Sequence, residues 1–311
     1  MPEAIINVQD VTSSRIITHC KCRLYAGINQ LTAGTLYIVA TPIGNLEDLS
    51  PRARQILSDV DLIAAEDTRH TGKLLSHFAI STRQIALHDH NEAEVVPRIV
   101  DDLNSGRSIA LVSDAGTPLI SDPGFRLVRD AHAAGIVVSP IPGPSAAIAA
   151  MSAAGLPSDR FAFEGFLPAK REARRVTLKS LQTDTRTLIF FESVHRIANT
   201  LQDMADVLGA ERKAYLGREL SKLHEQGVLA PLRELRALLD SGEVVSKGEF
   251  VIVVAGAETS RVEARSVDAG ELLEELVKIL PGSQAVDLVS SLSGVKRNDV
   301  YKEMLALKHD P

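Results

Sequence analysis

The residues best suited to binding a ligand or moving a proton gather in five short stretches. They are Thr41-Pro42-Ile43-Gly44-Asn45-Leu46-Glu47-Asp48, Glu66-Asp67-Thr68-Arg69-His70, His88-Asp89-His90-Asn91-Glu92, Ser113-Asp114-Ala115-Gly116-Thr117-Pro118 with Ser121-Asp122-Pro123-Gly124, and Pro142-Gly143-Pro144-Ser145-Ala146. Glycine lets backbone approach a ligand closely, and proline holds the chain in fixed, non-helical conformations. Amides and carbonyls exposed between them can recognise a flat polar molecule such as an adenosine, and a carbonyl-lined rim suits a sulfonium cation. No stretch reads G-x-G-x-x-G, G-x-x-x-x-G-K-[ST] or G-x-S-x-G, which removes the usual dinucleotide, P-loop and nucleophile-elbow chemistries. His88, His90, Asp67, Asp89 and Glu92 can be drawn as a metal cluster. On an extended segment, however, His88 and His90 point to opposite faces, so no metal is expected.

These stretches matter because of the elements before them. Short apolar runs alternate with amphipathic ones: strands are expected at 36–40, 61–66, 84–87, 108–113 and 136–141. Helices are expected from Ser50-Pro51, over 68–78 and 92–103, from Asp122-Pro123, and over 146–154. Near-continuous apolar strands alternating with helices predict an α/β fold whose first sheet is mainly parallel and covered on both faces. In such sheets ligands bind beyond the carboxyl ends of the strands, which is where all five stretches fall.

The organisation predicted is a loose leader over 1–33, an N-terminal α/β domain over 34–154, a C-terminal α/β domain over 155–258, and a helical, helix-turn-helix-like extension over 265–311. In the second domain strands are expected at 161–163, 187–192, 213–216 and 249–255, with helices near 171–181, 196–208 and 231–239. Glu192 and Arg196 flank a strand-to-helix turn, where an ion pair and a cap are expected. The formal net charge of −6 argues against a protein that coats nucleic acid generally. One segment is nevertheless strongly basic, with Lys170, Arg171, Arg174, Arg175 and Lys179 against Glu172 alone. The two cysteines, Cys20 and Cys22, are too few for a disulfide framework. With no signal-peptide pattern and no run long enough to span a bilayer, a cytoplasmic location away from membranes is expected.

The motifs LYIVATPIGNLEDLS, DLIAAEDTRHTGKLL, ALHDHNE, IALVSDAGTPLISDPG, PGPSAAIAAMSAAGLPSDRFAFEGFLP, TLIFFESVHR, REL-SK and KGEFV follow one another in order between residues 36 and 257. Together they resemble the bacterial ribosomal RNA small-subunit methyltransferase I family of the tetrapyrrole-methylase superfamily. Corrinoid and siroheme methylases of that superfamily carry G-x-G-P-G-D where this chain has TPIGNLED. Ser221 stands where the family's REL-TK motif has Thr, and the stretch after Glu225 lacks a Gly near 229.

The resemblance implies S-adenosyl-L-methionine as cofactor, a homodimer, and methylation of the ribose 2′-hydroxyl of a cytidine in the decoding region of 16S rRNA within the 30S ribosomal subunit. By motif match the cofactor residues are Pro42, Gly44, Asn45, Asp114, Ala115, Gly116, Thr117, Pro118, Pro142, Gly143, Pro144, Ser145 and Ala146. A sulfonium already activates its methyl group, so alignment is the main demand and a positioned base helps a weakly acidic hydroxyl. Asp67 and Arg69 are the candidates for placement and His90 for the base. Lys170, Arg171, Arg174, Arg175, Lys296 and Arg297 are the candidates for phosphate contact. The rivals are a methylase of the same fold acting on a tetrapyrrole or a protein side chain, and a non-catalytic ribosome-binding module.

Overall fold

A computed structural model describes residues 34–258 and 269–307. The expected leader with Cys20 and Cys22, and most of the stretch joining the second domain to the C-terminal helices, lie outside the described residues.

The described residues form two compact units, one of 34–150 with 218–226 and one of 151–217 with 227–258 and 269–307. The first holds five strands, β1 (Thr35–Val39), β2 (Leu62–Ala65), β3 (Gln84–Ala86), β4 (Ile109–Val112) and β5 (Val137–Ile141), in the order β3-β2-β4-β1-β5. Every pairing in this sheet is parallel, as the apolar runs predict. Between and after the strands come α1 (Pro51–Asp59), α2 (Thr68–His77), α3 (Glu92–Asn104), α4 (Phe125–Ala133) and α5 (Ala146–Ala153).

Strand order dictates where the helices go. The steps β1 to β2 to β3 run toward one edge, and the steps β3 to β4 to β5 run toward the other. Right-handed crossovers therefore place α1 and α2 on one face and α3 and α4 on the opposite face. Leu57, Leu74 and Leu75 accordingly pack with Val39, Ile63 and Val112, while Ile99, Leu103 and Leu127 pack with Leu36, Ala64 and Leu111. Adjacent residues such as Ile63 and Ala64 serve opposite cores, the period-2 alternation of a strand.

Local chemistry sets the helix starts. Ser50 caps α1, its hydroxyl accepting from the Ala53 N–H at 3.1 Å, with Pro51 in the first turn. The start expected at Asp122-Pro123 is corrected: α4 begins at Phe125. Gly124 takes the cap position at φ 117°, where a Cβ would lie 2.6 Å from Leu111 Cδ2, and its N–H donates to Glu92 Oε1 at 2.7 Å.

The second unit carries β6 (Phe161–Phe166), β7 (Thr187–Ser193), β8 (Lys213–Arg218), β9 (Gln226–Pro231) and β10 (Glu249–Val254) in the order β6-β7-β10-β8-β9. This sheet is mixed, with β6 parallel and β10 antiparallel to β7. One face packs against α6 (Arg171–Ser180), α7 (Ile197–Leu208) and α8 (Leu232–Ser241) through Leu178, Leu201, Met204 and Leu235 on Phe190, Leu216 and Ile252. β9 is not foreseen from sequence, because Gly227 and Pro231 punctuate its short run. Gly227 is required there, since a Cβ would overlap the Tyr215 ring.

The helices α9 (Ala269–Leu276), α10 (Gly282–Ser293) and α11 (Arg297–Leu307) share their own core of Leu273, Val286, Val289, Val300 and Met304. Gly294, at φ 69°, ends α10 with its N–H donating to the Ser290 carbonyl. Among the described residues no helix is long and apolar enough to cross a membrane.

Candidate active site

Three of the five stretches are tied to one another at the carboxyl ends of β1, β4 and β5. Thr41 and Gly116 exchange two backbone hydrogen bonds at 2.8 and 3.0 Å, and the Thr41 hydroxyl donates to the Ser113 carbonyl at 3.2 Å. The Thr117 hydroxyl donates to the Pro144 carbonyl at 3.0 Å. Glycine is needed at two of these contacts. Gly116 sits at φ 87° with Ile43 and Pro144 beside it, and a Cβ on Gly143 would lie 3.0 Å from the Ala40 Cβ. Leu119 and Ser121 also have positive φ, at 74° and 70°, although neither is glycine. Such strain persists only where surrounding structure imposes it, and it clusters at ligand sites. Pro42, Gly116, Thr117 and Pro144 are thus brought together.

Gly44 and Asn45 lie one bend further on. Asn45 Oδ1 accepts from the Glu47 N–H at 3.1 Å and caps a 3-10 turn at Leu46–Asp48. Residues 218–226, from the REL-SK motif, close on this bend within the first unit. The Ser221 hydroxyl donates to Asp48 and its N–H to Glu225 Oε2, while Lys222 packs against Gly44. The contact requires a hydroxyl, so Ser in place of the family's Thr preserves it. Glu219 and Ser221 both have positive φ, which marks this as a second shaped loop.

Carboxylates crowd the ends of β2 and β4. Glu66 Oε2 accepts from the Asp114 N–H at 3.2 Å, and Asp114 Oδ1 accepts from the Asp67 N–H at 3.1 Å, a reciprocal clasp between the two loops. Asp67 also caps α2 and forms an ion pair with Arg69 at 2.7 Å. That pair holds the Asp67 carboxyl well below the usual range, so Asp67 stays ionised. Glu66 is pushed up chiefly by burial and also by repulsion from Asp114, Asp89 and Asp67, with the hydrogen bond from the Asp114 N–H opposing. Half-buried Asp122 is raised to about 6, chiefly by burial and also by Glu66 and Asp114, with Ser113 opposing. Glu66, Asp114 and Asp122 thus crowd together, and a cationic ligand would relieve their repulsion.

Beside this cluster lies a cavity of about 240 Å³ lined by Thr41, Pro42, Leu46, His70, Thr71, Lys73, Leu74, Ser113 and Asp114. Lys73 is absent from the sequence expectations. It stands one helical turn beyond Arg69 and His70, so the i, i+3/i+4 spacing was the signal for it. Glu66 and Asp122 were visible in their stretches, but nothing local distinguishes them, because their perturbation comes from groups on other strands.

The expectation for the two histidines is corrected. β3 ends at Ala86, and residues 88–91 form a turn in which Asn91 Oδ1 accepts the His88 N–H at 2.9 Å and Asn91 Nδ2 donates to the Ala86 carbonyl. The two rings consequently lie 6.0 Å apart instead of on opposite faces. Among the described residues no group of three or more His, Cys, Asp or Glu side chains is arranged to hold a metal ion.

The basic segment is also corrected in part. Arg174 is buried, and its guanidinium is spent on Asp203 at 2.7 Å, so it is not available to RNA. Arg171 and Arg175 pair with Asp203 as well, at 3.0 and 3.2 Å, and both reach Asp206. Burial works against the Asp203 charge, but the three guanidiniums prevail and hold its carboxyl below the usual range. Lys170 is exposed ahead of α6. Arg297 is paired with Asp287 at 2.6 Å. Glu192 is buried and accepts from Thr200 and from the Ser193 N–H, with Arg196 at 3.3 Å, so the expected pair fastens β7 to α7.

Comparison with known proteins bears on this arrangement. The family described as Tetrapyrrole (Corrin/Porphyrin) Methylases matches residues 35–236, and the RsmI C-terminal HTH domain matches residues 263–308. Ribosomal RNA small subunit methyltransferase I of Pseudomonas aeruginosa is 51% identical over 276 residues, covering 88% of this chain and 98% of that protein. Among solved structures, the cobalamin biosynthetic enzyme cobalt precorrin-4 methyltransferase aligns with a TM-score of 0.55 at 14% identity, over 73% of this chain and 97% of that one. Uroporphyrin-III C-methyltransferase from Thermus thermophilus, complexed with S-adenyl homocysteine, aligns with a TM-score of 0.50 at 16% identity, over 71% of this chain and 97% of that one. These structural likenesses establish the fold, and the sequence identity establishes more. The chain belongs to the ribosomal RNA small subunit methyltransferase I family, a branch of the tetrapyrrole methylases.

Proposed function

We propose that this protein uses S-adenosyl-L-methionine to methylate the 2′-hydroxyl of a cytidine ribose in the decoding region of 16S rRNA, acting in the cytoplasm as a homodimer on the 30S subunit. The observation that carries this reading is the 51% identity to a ribosomal RNA small subunit methyltransferase I over nearly all of that protein. The choice of cytidine and of the 2′-oxygen rests on the resemblance of the motif set between residues 36 and 257 to that family.

The cofactor, when bound, supplies a methyl group already activated by a positively charged sulfur. The donor set suits it: the tied loops of Pro42, Gly44 and Asn45, of Asp114 to Pro118, and of Pro142 to Ala146 present backbone to a flat ligand. Glycines at 116 and 143 stand where a side chain does not fit without strain or crowding. The carboxylates Glu66, Asp114 and Asp122 offer negative charge to a cation. Arg69, largely exposed and anchored by Asp67, orients the acceptor strand. Asp67 makes a poor proton acceptor because its ion pair keeps it ionised at low pH, and His90 is the candidate base. Lys170 and Lys296, both exposed, contact phosphates, while Arg171, Arg175 and Arg297 are already engaged by Asp203, Asp206 and Asp287.

The test is to incubate labelled S-adenosylmethionine with 30S subunits from cells lacking the enzyme and map the label by nuclease digestion. Label on the ribose of one decoding-region cytidine is expected. Label on a base, on ribosomal protein, or nowhere overturns the proposal.

A further inference from the structure

The cavity beside the tied loops is small for the cofactor. Its volume of about 240 Å³ falls below the range of about 300–1,000 Å³ usual for a drug-sized ligand, so it suits one ring and not a whole S-adenosylmethionine. Of the cofactor candidates only Pro42 and Asp114 line it, whereas Gly116, Thr117 and Pro144 do not.

The helix α2 shapes the rest. Thr71 and Leu74 stand three residues apart on its buried face, and His70 and Lys73 stand three apart on its exposed one. Leu74 joins Pro42 and Leu46 as an apolar wall. Thr71 is 2% exposed, and its hydroxyl has no hydrogen-bond partner among the described residues. A threonine within a helix can return its hydroxyl to the carbonyl four residues back, as Thr177 does to Ala173 at 3.2 Å. Thr71 gives the Asp67 carbonyl only its backbone N–H, at 3.0 Å. A buried hydroxyl left over in this way costs stability, and in a cavity wall it points to a polar group that enters. At the rim, exposed Lys73 is in no ion pair among the described residues, unlike Arg69, which Asp67 holds.

Apolar walls, one spare hydroxyl and a cation at the mouth match a single heterocyclic ring with a phosphate alongside. A base within an RNA stack cannot enter such a hollow and must swing out to reach it. With the base held inside, its ribose lies at the mouth beside Pro42 and Asp114, next to the cofactor loops, which is the placement that in-line methyl transfer demands.

We propose that this cavity receives the flipped-out pyrimidine base of the nucleotide to be methylated, with the Thr71 hydroxyl bonded to the edge of the ring and Lys73 meeting a flanking phosphate. This inference rests on the ribosomal RNA reading above and assigns the acceptor side of that same site.

The test compares wild type with Thr71→Val, which keeps the shape and removes the hydroxyl, with Thr71→Ser, which keeps the hydroxyl, and with Lys73→Gln. Methyl transfer to 30S subunits from cells lacking the enzyme gives kcat and KM, calorimetry gives the S-adenosylmethionine affinity, and thermal melts report the fold. Thr71→Val is expected to lower kcat/KM at least about fivefold with cofactor affinity and melting temperature undiminished, and Thr71→Ser to stay near wild type. Lys73→Gln, a surface change, is expected to raise the KM for 30S subunits at least about threefold and to reduce its salt slope by about one. Unchanged kinetics in either Thr71→Val or Lys73→Gln overturns the proposal while the function stands. Weakened cofactor affinity in Thr71→Val also overturns it, because the cavity then belongs to the cofactor. Wild type that transfers no methyl to 30S subunits overturns the functional reading and this proposal with it.

Discussion

Asp114 is the residue on which the first unit's loops converge, since its backbone N–H donates to Glu66 and its carboxylate accepts from the Asp67 N–H. Replacing it with Ala removes both a tie between loops and a negative charge facing the cofactor region. Asp114→Ala is therefore expected to weaken S-adenosylmethionine binding at least about tenfold by calorimetry. Arg69→Ala is expected to leave that affinity within about twofold while turnover falls, because Arg69 points outward from its ion pair with Asp67. Normal cofactor affinity in the Asp114 variant would refute the assignment. Asp122 makes a different prediction, about stability. Its carboxyl is raised from 3.8 to about 6 in the fold, so the native state holds a proton that the unfolded state has released. Stability contributed by this group accordingly falls as pH rises between those two values. Asp122→Asn should then stabilise the protein at pH 7.5 by about 1 kcal/mol, a figure discounted for partial exposure, with the gain vanishing near pH 4. Thermal melts at both pH values measure it, and an equal gain at pH 4 would contradict the cause given.

At the scale of elements, the basic start of α6 is less a charged surface than a fastening. Arg174 and Asp203 are both buried, and Arg171 and Arg175 complete a network that binds α6 to α7. Removing the central acid leaves a buried guanidinium without its partner, which is the costly way to break such a group. Asp203→Ala is expected to lower stability by about 3 kcal/mol in urea titrations with the cofactor affinity unchanged. A loss below about 1 kcal/mol would show that the network is dispensable. From sequence alone these arginines read as a free positive patch, because their partners sit about thirty residues away on another helix. The strands and helices themselves were far more legible. Ser50-Pro51 marks the start of α1 through its own side chain, whereas α4 starts where a contact between Gly124 and Leu111 requires it.

Over the whole molecule, a chain of net charge −6 must engage an RNA through local surfaces and not through its overall field. The C-terminal helices have their own core, and Lys278, Arg297 and Lys302 are each paired with a carboxylate. Deleting residues 262–311 is expected to reduce methylation of 30S subunits at least about tenfold while calorimetry shows the cofactor affinity intact. Full activity in the truncated chain would remove these helices from substrate recognition. By itself the sequence determined the parallel first sheet, the placement of Gly- and Pro-rich bends at strand ends, and the family, because periodicity, caps and contiguous motifs are properties of neighbouring residues. Tertiary structure alone decided which cations are free, where His88 and His90 sit, and which carboxylates repel one another. Each of those depends on groups far apart in the chain, and their mutual distances exist only once the strands have paired.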